Sequence, residues 1–132
     1  MNAGITSKGK ILLMDDEQII LDVTLEVLQF LGYSVQFARD GAEAISLFTR
    51  ERSAGVPFDI VILDLSVPEG MGGKETLARL KELDPSVKAI VSSGYTNDPC
   101  VQDFAEHGFA GKLAKPYKIN DMKVLLEHLI KK

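Results

Sequence analysis

The stretch Ile11-Leu12-Leu13-Met14-Asp15-Asp16-Glu17 sets four consecutive apolar residues against three acids. A run so short and so apolar fits a strand buried on both faces, as in a parallel sheet, with the acids at its carboxyl end. The periodicity then changes. Ile20, Val23, Val27, Leu28 and Leu31 fall on one stripe of a helix over about 17–31, and Gly32 stands where a left-handed cap closes a helix.

The rest of the chain repeats this unit. Val35 and Phe37 alternate with Ser34 and Gln36 in a second strand. Asp40 and Glu43 then have capping-box spacing, with Asp in place of Ser or Thr, before a helix carrying Ala44, Ile45 and Phe48. After the Gly55-Val56-Pro57 break, residues 58–65 read as a buried strand, apolar except at Asp59 and Asp64, and Asp64 sits at its carboxyl end. A loop with Pro68 and three glycines leads to a helix with Leu77 and Leu80 inward, stopped at Asp84-Pro85. Residues 87–91 form a fourth strand, followed by Ser92 and Ser93 and a short helix bearing Val101, Phe104 and Ala105, closed by Gly108. A weaker fifth strand spans 109–114, and Asn120 is placed to cap a last helix with Met122, Leu125, Leu126, Leu129 and Ile130 on one stripe.

Five strands alternating with five helices call for right-handed crossovers and a doubly wound α/β sandwich: a mostly parallel sheet with helices on both faces. Ligands of such sheets sit outside the carboxyl ends of the strands. Asp15, Asp16, Asp64, Ser92, Ser93 and Lys115 all fall there.

Composition narrows the function classes. A chain of 132 residues fits one domain, expected over 10–132, after a small, polar, glycine-containing leader or linker over 1–9. A net charge of −4 gives no bulk attraction to phosphate backbones, so nucleic acid is not expected as a partner. Cys100 is the only cysteine, which precludes an intrachain disulfide. No run approaches the roughly 18 apolar residues of a membrane span, and no signal-like segment opens the chain, so the reading is cytoplasmic. His107, before Gly108 at a helix end, and His128, near the polar edge of the last helix, read as ordinary surface histidines.

Three carboxylates converging in one crevice repel one another and call for a cation. Oxygen ligands without His or Cys suit a hard ion, and few carboxylates with room for waters suit Mg²⁺. A metal, the Lys115 ammonium and a hydroxyl from Ser93 together can hold three oxygens of a phosphoryl group while one carboxylate attacks phosphorus. Each residue alone has a bland reading: helix-dipole acids, a turn aspartate, loop serines, a solvated lysine. Their joint placement at strand ends outweighs it.

These residues resemble the receiver domain of two-component response regulators and hybrid histidine kinases, over nearly the whole chain. The resemblance rests on Asp15-Asp16-Glu17 after the first strand, Ile60-Val61-Ile62-Leu63-Asp64-Leu65, the loop Pro68-Glu69-Gly70-Met71-Gly72-Gly73, Ser93-Gly94 and Lys115-Pro116-Tyr117. The wording around that loop and around Val91-Ser92-Ser93-Gly94-Tyr95 looks most like receivers of hybrid sensor kinases. It implies a flavodoxin-like (βα)5 sandwich, five parallel strands in order 2-1-3-4-5. It further implies that Asp64 is the phosphoacceptor, supplied by a histidine kinase or phosphotransfer protein. Asp16 and Asp64 would bind Mg²⁺ (or Mn²⁺) directly, with Asp15 acting largely through water and the Ser66 carbonyl as a further ligand. Ser93 and Lys115 would hold the phosphoryl group, Gly94 would keep access open, and the Lys115-Pro116 peptide would be cis. A homodimer through the face of helix four, strand five and helix five is a further expectation. One departure stands out: Lys112 occupies the position of the family's switch aromatic, and a lysine cannot fill the same apolar slot.

Other phosphate chemistries match less well. A P-loop would need Ser or Thr after Gly73-Lys74, where Glu75 stands. A haloacid-dehalogenase-like phosphohydrolase, whose second aspartate would fall on Ser66, is the alternative enzyme reading. A non-phosphorylated interaction module of the same fold is another, and a flavodoxin-like cofactor binder would share the architecture without its phosphate-binding loop.

Overall fold

The computed structural model describes residues 7–68, 70–94 and 97–131. Its elements alternate as β1 (Lys10–Met14), α1 (Gln18–Phe30), β2 (Ser34–Ala38), α2 (Gly41–Ser53), β3 (Ile60–Asp64), α3 (Gly73–Leu83), β4 (Ala89–Ser93), α4 (Pro99–Gln102), β5 (Gly111–Ala114) and α5 (Ile119–Ile130). The strands form one parallel sheet in the expected order, β2-β1-β3-β4-β5. Period-two alternation splits the core in two. Leu12, Met14, Val61, Leu63, Ala89 and Val91 pack with α2 and α3 on one face. Ile11, Leu13, Ile60, Ile62, Ile90 and Leu113 pack with α1 and α5 on the other.

Local rules set several boundaries. Gly32, at φ 103°, ends α1: the Tyr33 N–H reaches the Leu28 carbonyl and the Gly32 N–H reaches that of Gln29, each at 3.0 Å, which is the paired Schellman closure. Asp40 caps α2 by accepting from the Glu43 N–H at 2.9 Å, while the Glu43 carboxylate reaches back to the N–H of Arg39 at 2.6 Å, one residue beyond the usual box. Of the leader expected over 1–9, residues 1–6 lie outside the described residues. The Lys8 N–H donates to the Gly32 carbonyl, and the Ser34 N–H reaches the Gly9 carbonyl, both at 2.9 Å.

Three expectations are corrected. The buried face of α1 is Leu21, Thr24 and Leu28, whereas Val23, placed on the core stripe, is 56% exposed. The fourth helix ends at Gln102, because Asp103 leaves helical geometry (φ −111°, ψ 46°); Phe104 and Ala105 lie in the turns that run to Gly108. Asn120 lies inside α5, whose cap position is Lys118, with Asp121 supplying a negative charge in the first turn.

Gly41 carries a stability prediction. A Cβ there would come 2.0 Å from Thr76 Oγ1 and 2.7 Å from Met71 Cγ, where α2 begins against α3. Gly41→Ala should therefore destabilise the domain by about 1–3 kcal/mol, read as a lower urea midpoint with an unchanged slope.

Candidate functional site

The sheet brings its strand ends together by register. Met14 pairs with Leu63 and Asp64 with Ser92, so Asp15, Asp64 and Ser92 follow one another across three strands. The ladder continues past the strands: the Asp15 N–H donates to Ala38, Leu65 to Ser92 and Lys115 to Ser93, at 3.0, 2.9 and 3.0 Å. The side chains that follow are thus held on regular backbone.

Lys115 is the centre of the cluster. Its Nζ lies 2.7 Å from Asp15 Oδ2 and 3.2 Å from Asp64 Oδ1. Asp15 is 0% exposed and uses its other oxygen to accept from the Glu17 N–H at 2.9 Å. The Ser66 N–H donates to Asp64 Oδ1 at 3.4 Å. Burial and then the repulsion of Asp15 push the Asp64 carboxyl up to about 6, against the pull of Lys115 and the Ser66 N–H. For Lys115 burial works to lower the pKa, but the two carboxylates outweigh it and the net shift is upward. The result is two acids and one base in which negative charge remains in excess.

An open pocket of about 510 Å³ lies over this cluster, lined by Asp16, Glu17, Asp64, Ser66, Pro68, Ser93, Gly94 and Lys115. Of the residues expected at the site, Asp16, Asp64, Ser66, Ser93, Gly94 and Lys115 border it, whereas the buried Asp15 and Ser92 do not. A Cβ on Gly94 would meet nothing within 4 Å, so space rather than contact is what glycine leaves there. The Lys115-Pro116 peptide is cis. Lys112 is exposed on β5, its Nζ 5.8 Å from the centre of the Phe104 ring. Glu69 and Tyr95, quoted in the motifs, lie outside the described residues.

Two participants, Glu17 and Tyr117, were named in the sequence motifs but given no role at the site. Glu17 lines the pocket, and carboxylate oxygens of Asp15, Asp16 and Glu17 come within 4.8 Å of one another. Its signal was its place as third acid of the run. Tyr117 is hydrogen-bonded to Ser92 beneath the pocket, and nothing local in the sequence joins residues 25 positions apart.

The fold and the strand-end cluster together define a class, and comparison with known proteins agrees. The family model for the response regulator receiver domain matches residues 11–127, and the chain belongs to this family. It is 33% identical over 114 residues to sporulation initiation phosphotransferase F of Bacillus subtilis, covering 86% of this chain and 87% of that protein. It is 28% identical over 128 residues to the sensor kinase CckA of Brucella abortus, covering 97% of this chain but 13% of the kinase. Among solved structures, the receiver domain of the Pseudomonas aeruginosa sensor histidine kinase PA1611, described with a magnesium ion in its active site cleft, superposes with a TM-score of 0.81. That pair shares 23% identity over 94% of this chain and 98% of the other, a likeness of fold.

Proposed function

We propose that this receiver domain accepts a phosphoryl group on Asp64 from the phosphohistidine of a histidine kinase or phosphotransfer protein, or from a small phosphodonor, in a Mg²⁺-dependent reaction. The observation that carries the reading is the position of the Asp64 carboxylate, 3.2 Å from Lys115 Nζ and facing the open pocket with Ser93 on its wall. Asp64 supplies the nucleophilic oxygen: an O–P bond forms as the bond from phosphorus to the donor nitrogen or oxygen breaks, and the electron pair leaves with the donor. Lys115 stays beside the transferred group as a fixed positive charge, and the Ser93 hydroxyl offers a hydrogen bond to one of its oxygens. The donor set fits a hard divalent ion, because it consists of oxygens and because Asp15 repels Asp64 despite Lys115. Asp16, Asp64 and the Ser66 carbonyl would hold Mg²⁺ directly and Asp15 would act through water. Bound there, the ion would neutralise the charge that builds up on the phosphoryl oxygens. The domain thereby catalyses its own modification, and hydrolysis of the aspartyl phosphate resets it.

A donor protein has a surface to meet. An apolar groove of about 280 Å³ between α1 and α5 is lined by Ile19, Val23, Pro116 and Ile119 and includes Lys115 on its wall. The face with Lys112, Lys118 and Asp121 is where a second copy would dock on this reading.

Intact mass after incubation with acetyl phosphate and Mg²⁺ tests the reading. One added phosphoryl group is expected for the wild type, and none for Asp64→Asn or in EDTA. A folded wild type that gains no mass and binds no beryllofluoride would overturn it in favour of a non-phosphorylated module.

A further inference from the structure

Below the pocket lies a contact that phosphoryl transfer as described does not use. The hydroxyls of Tyr117 and Ser92 are hydrogen-bonded to each other. Ser92 is buried, and Tyr117 packs against the core cluster of α1 and α5. Ser92 is the register partner of Asp64 and stands beside Ser93. Tyr117 follows Lys115 by two residues. Burial pushes its phenol up to about 12, so the group is a neutral hydroxyl at working pH, and Lys115, Asp15 and Asp64 all lie within electrostatic reach of it.

The segment carrying Lys115 is exposed at Pro116 and Lys118, and beyond the two ion pairs of Lys115 its polar ties run to β4. It is tied to β4 twice: by the Lys115 N–H to the Ser93 carbonyl at 3.0 Å, and by the Tyr117 hydroxyl to Ser92. The lysine ammonium group rides on a flexible four-carbon stem, so its backbone anchor sets the region it can reach and its partners set where it rests. Two ties on either side of it, to neighbouring residues of one strand, fix where its ammonium group can reach. We propose that Tyr117 is a positioning residue for phosphoryl transfer: its hydroxyl, held by Ser92, keeps Lys115 in place between Asp15 and Asp64. The inference rests on the phosphoacceptor reading above.

A hydroxyl pair that merely satisfies itself in the core can be replaced on both sides at little cost, so stability does not distinguish the two roles and rate does. The experiment follows phosphorylation by acetyl phosphate with Mg²⁺ in the wild type, Tyr117→Phe, Ser92→Ala, the double variant and Ser92→Thr, with melting temperatures alongside. Tyr117→Phe and Ser92→Ala should each slow the saturated rate about tenfold, leaving the acetyl phosphate concentration for half-maximal rate unchanged. The double variant should be no slower than either single, and Ser92→Thr, which retains a hydroxyl, should recover most of the rate. Wild-type rates in Tyr117→Phe, or in Ser92→Ala should the tyrosine variant not fold, would overturn the positioning role while leaving the phosphoacceptor reading intact. Slowing that multiplies in the double variant would overturn it too. An inert wild type would overturn both.

Discussion

In metal-free buffer at pH 7.5, Asp64→Asn is expected to be more stable than the wild type although it can no longer be phosphorylated. Burial and Asp15 raise the Asp64 carboxyl from 3.8 to about 6 in the folded protein. A folded pKa above the unfolded one means that the folded state binds the proton more tightly, so folding weakens as pH rises from about 4 to about 6 and the loss is complete above that. The shift corresponds to roughly 3 kcal/mol at 1.36 kcal/mol per unit, and water in the open pocket screens it to about 1–2 kcal/mol. An amide does not ionise and avoids this penalty. The advantage of the variant should be full above pH 6, shrink as pH falls from about 6 to about 4, and vanish below that. Mg²⁺ should narrow it from the other side, by stabilising the folded wild type in proportion to its binding. Urea melts at pH 7.5, 5 and 4, with EDTA and with Mg²⁺, measure all of this. A variant less stable than the wild type at pH 7.5 without metal would mean that the Lys115 contact outweighs burial and repulsion.

The convergence of these acids was legible in the sequence because the site is made of strand ends. Asp15 and Asp64 each close an apolar run, and a run buried on both faces has only one place in an α/β sandwich. The residues at its end are then placed without knowledge of any side chain. Helix faces were less legible. On α1 the polar Thr24 is buried while Ile19 and Val23 face outward beside Pro116 and Ile119. Of the stripe read there, Leu28 and Leu31 lie in the core and Val27 packs against it, while Val23 turns toward the groove. The short α4 shows a second limit. Asp98 and Pro99 start it as capping rules require, with Asp98 Oδ1 accepting from the Cys100 N–H at 2.8 Å. It ends after one turn, where Asp103 leaves helical geometry, and Phe104 then packs against the core cluster on the side of α2 and α3. The Ser92–Tyr117 pair was illegible for a plainer reason: it is a tertiary contact between two hydroxyls, each unremarkable where it stands.

Lys115→Met should produce the largest loss of function short of removing Asp64 itself, and its stability effect should depend on pH in a direction that the geometry determines. The ammonium group is the only cation within ion-pair distance of Asp15 and Asp64 among the described residues. Losing a fixed charge aimed at the transferring group should slow phosphorylation about a hundredfold or more. In the folded protein the two acids would then face each other without their partner, one of them 0% exposed. An uncompensated buried charge costs about 3–5 kcal/mol, and the pair lowers that cost by holding a proton, which pushes Asp64 higher still. The deficit relative to wild type should therefore be greatest near pH 8, where holding the proton is hardest, and shrink toward pH 5. Lys115→Arg separates charge from position. It restores a cation to the acids and with it most of the stability, but its planar fork does not place a compact charge where the ammonium group lies. Phosphorylation of this variant should stay well below wild type. If Lys115→Arg instead recovers the full rate, charge alone suffices at that position, and the two ties that hold the Lys115 segment to β4 serve folding rather than transfer.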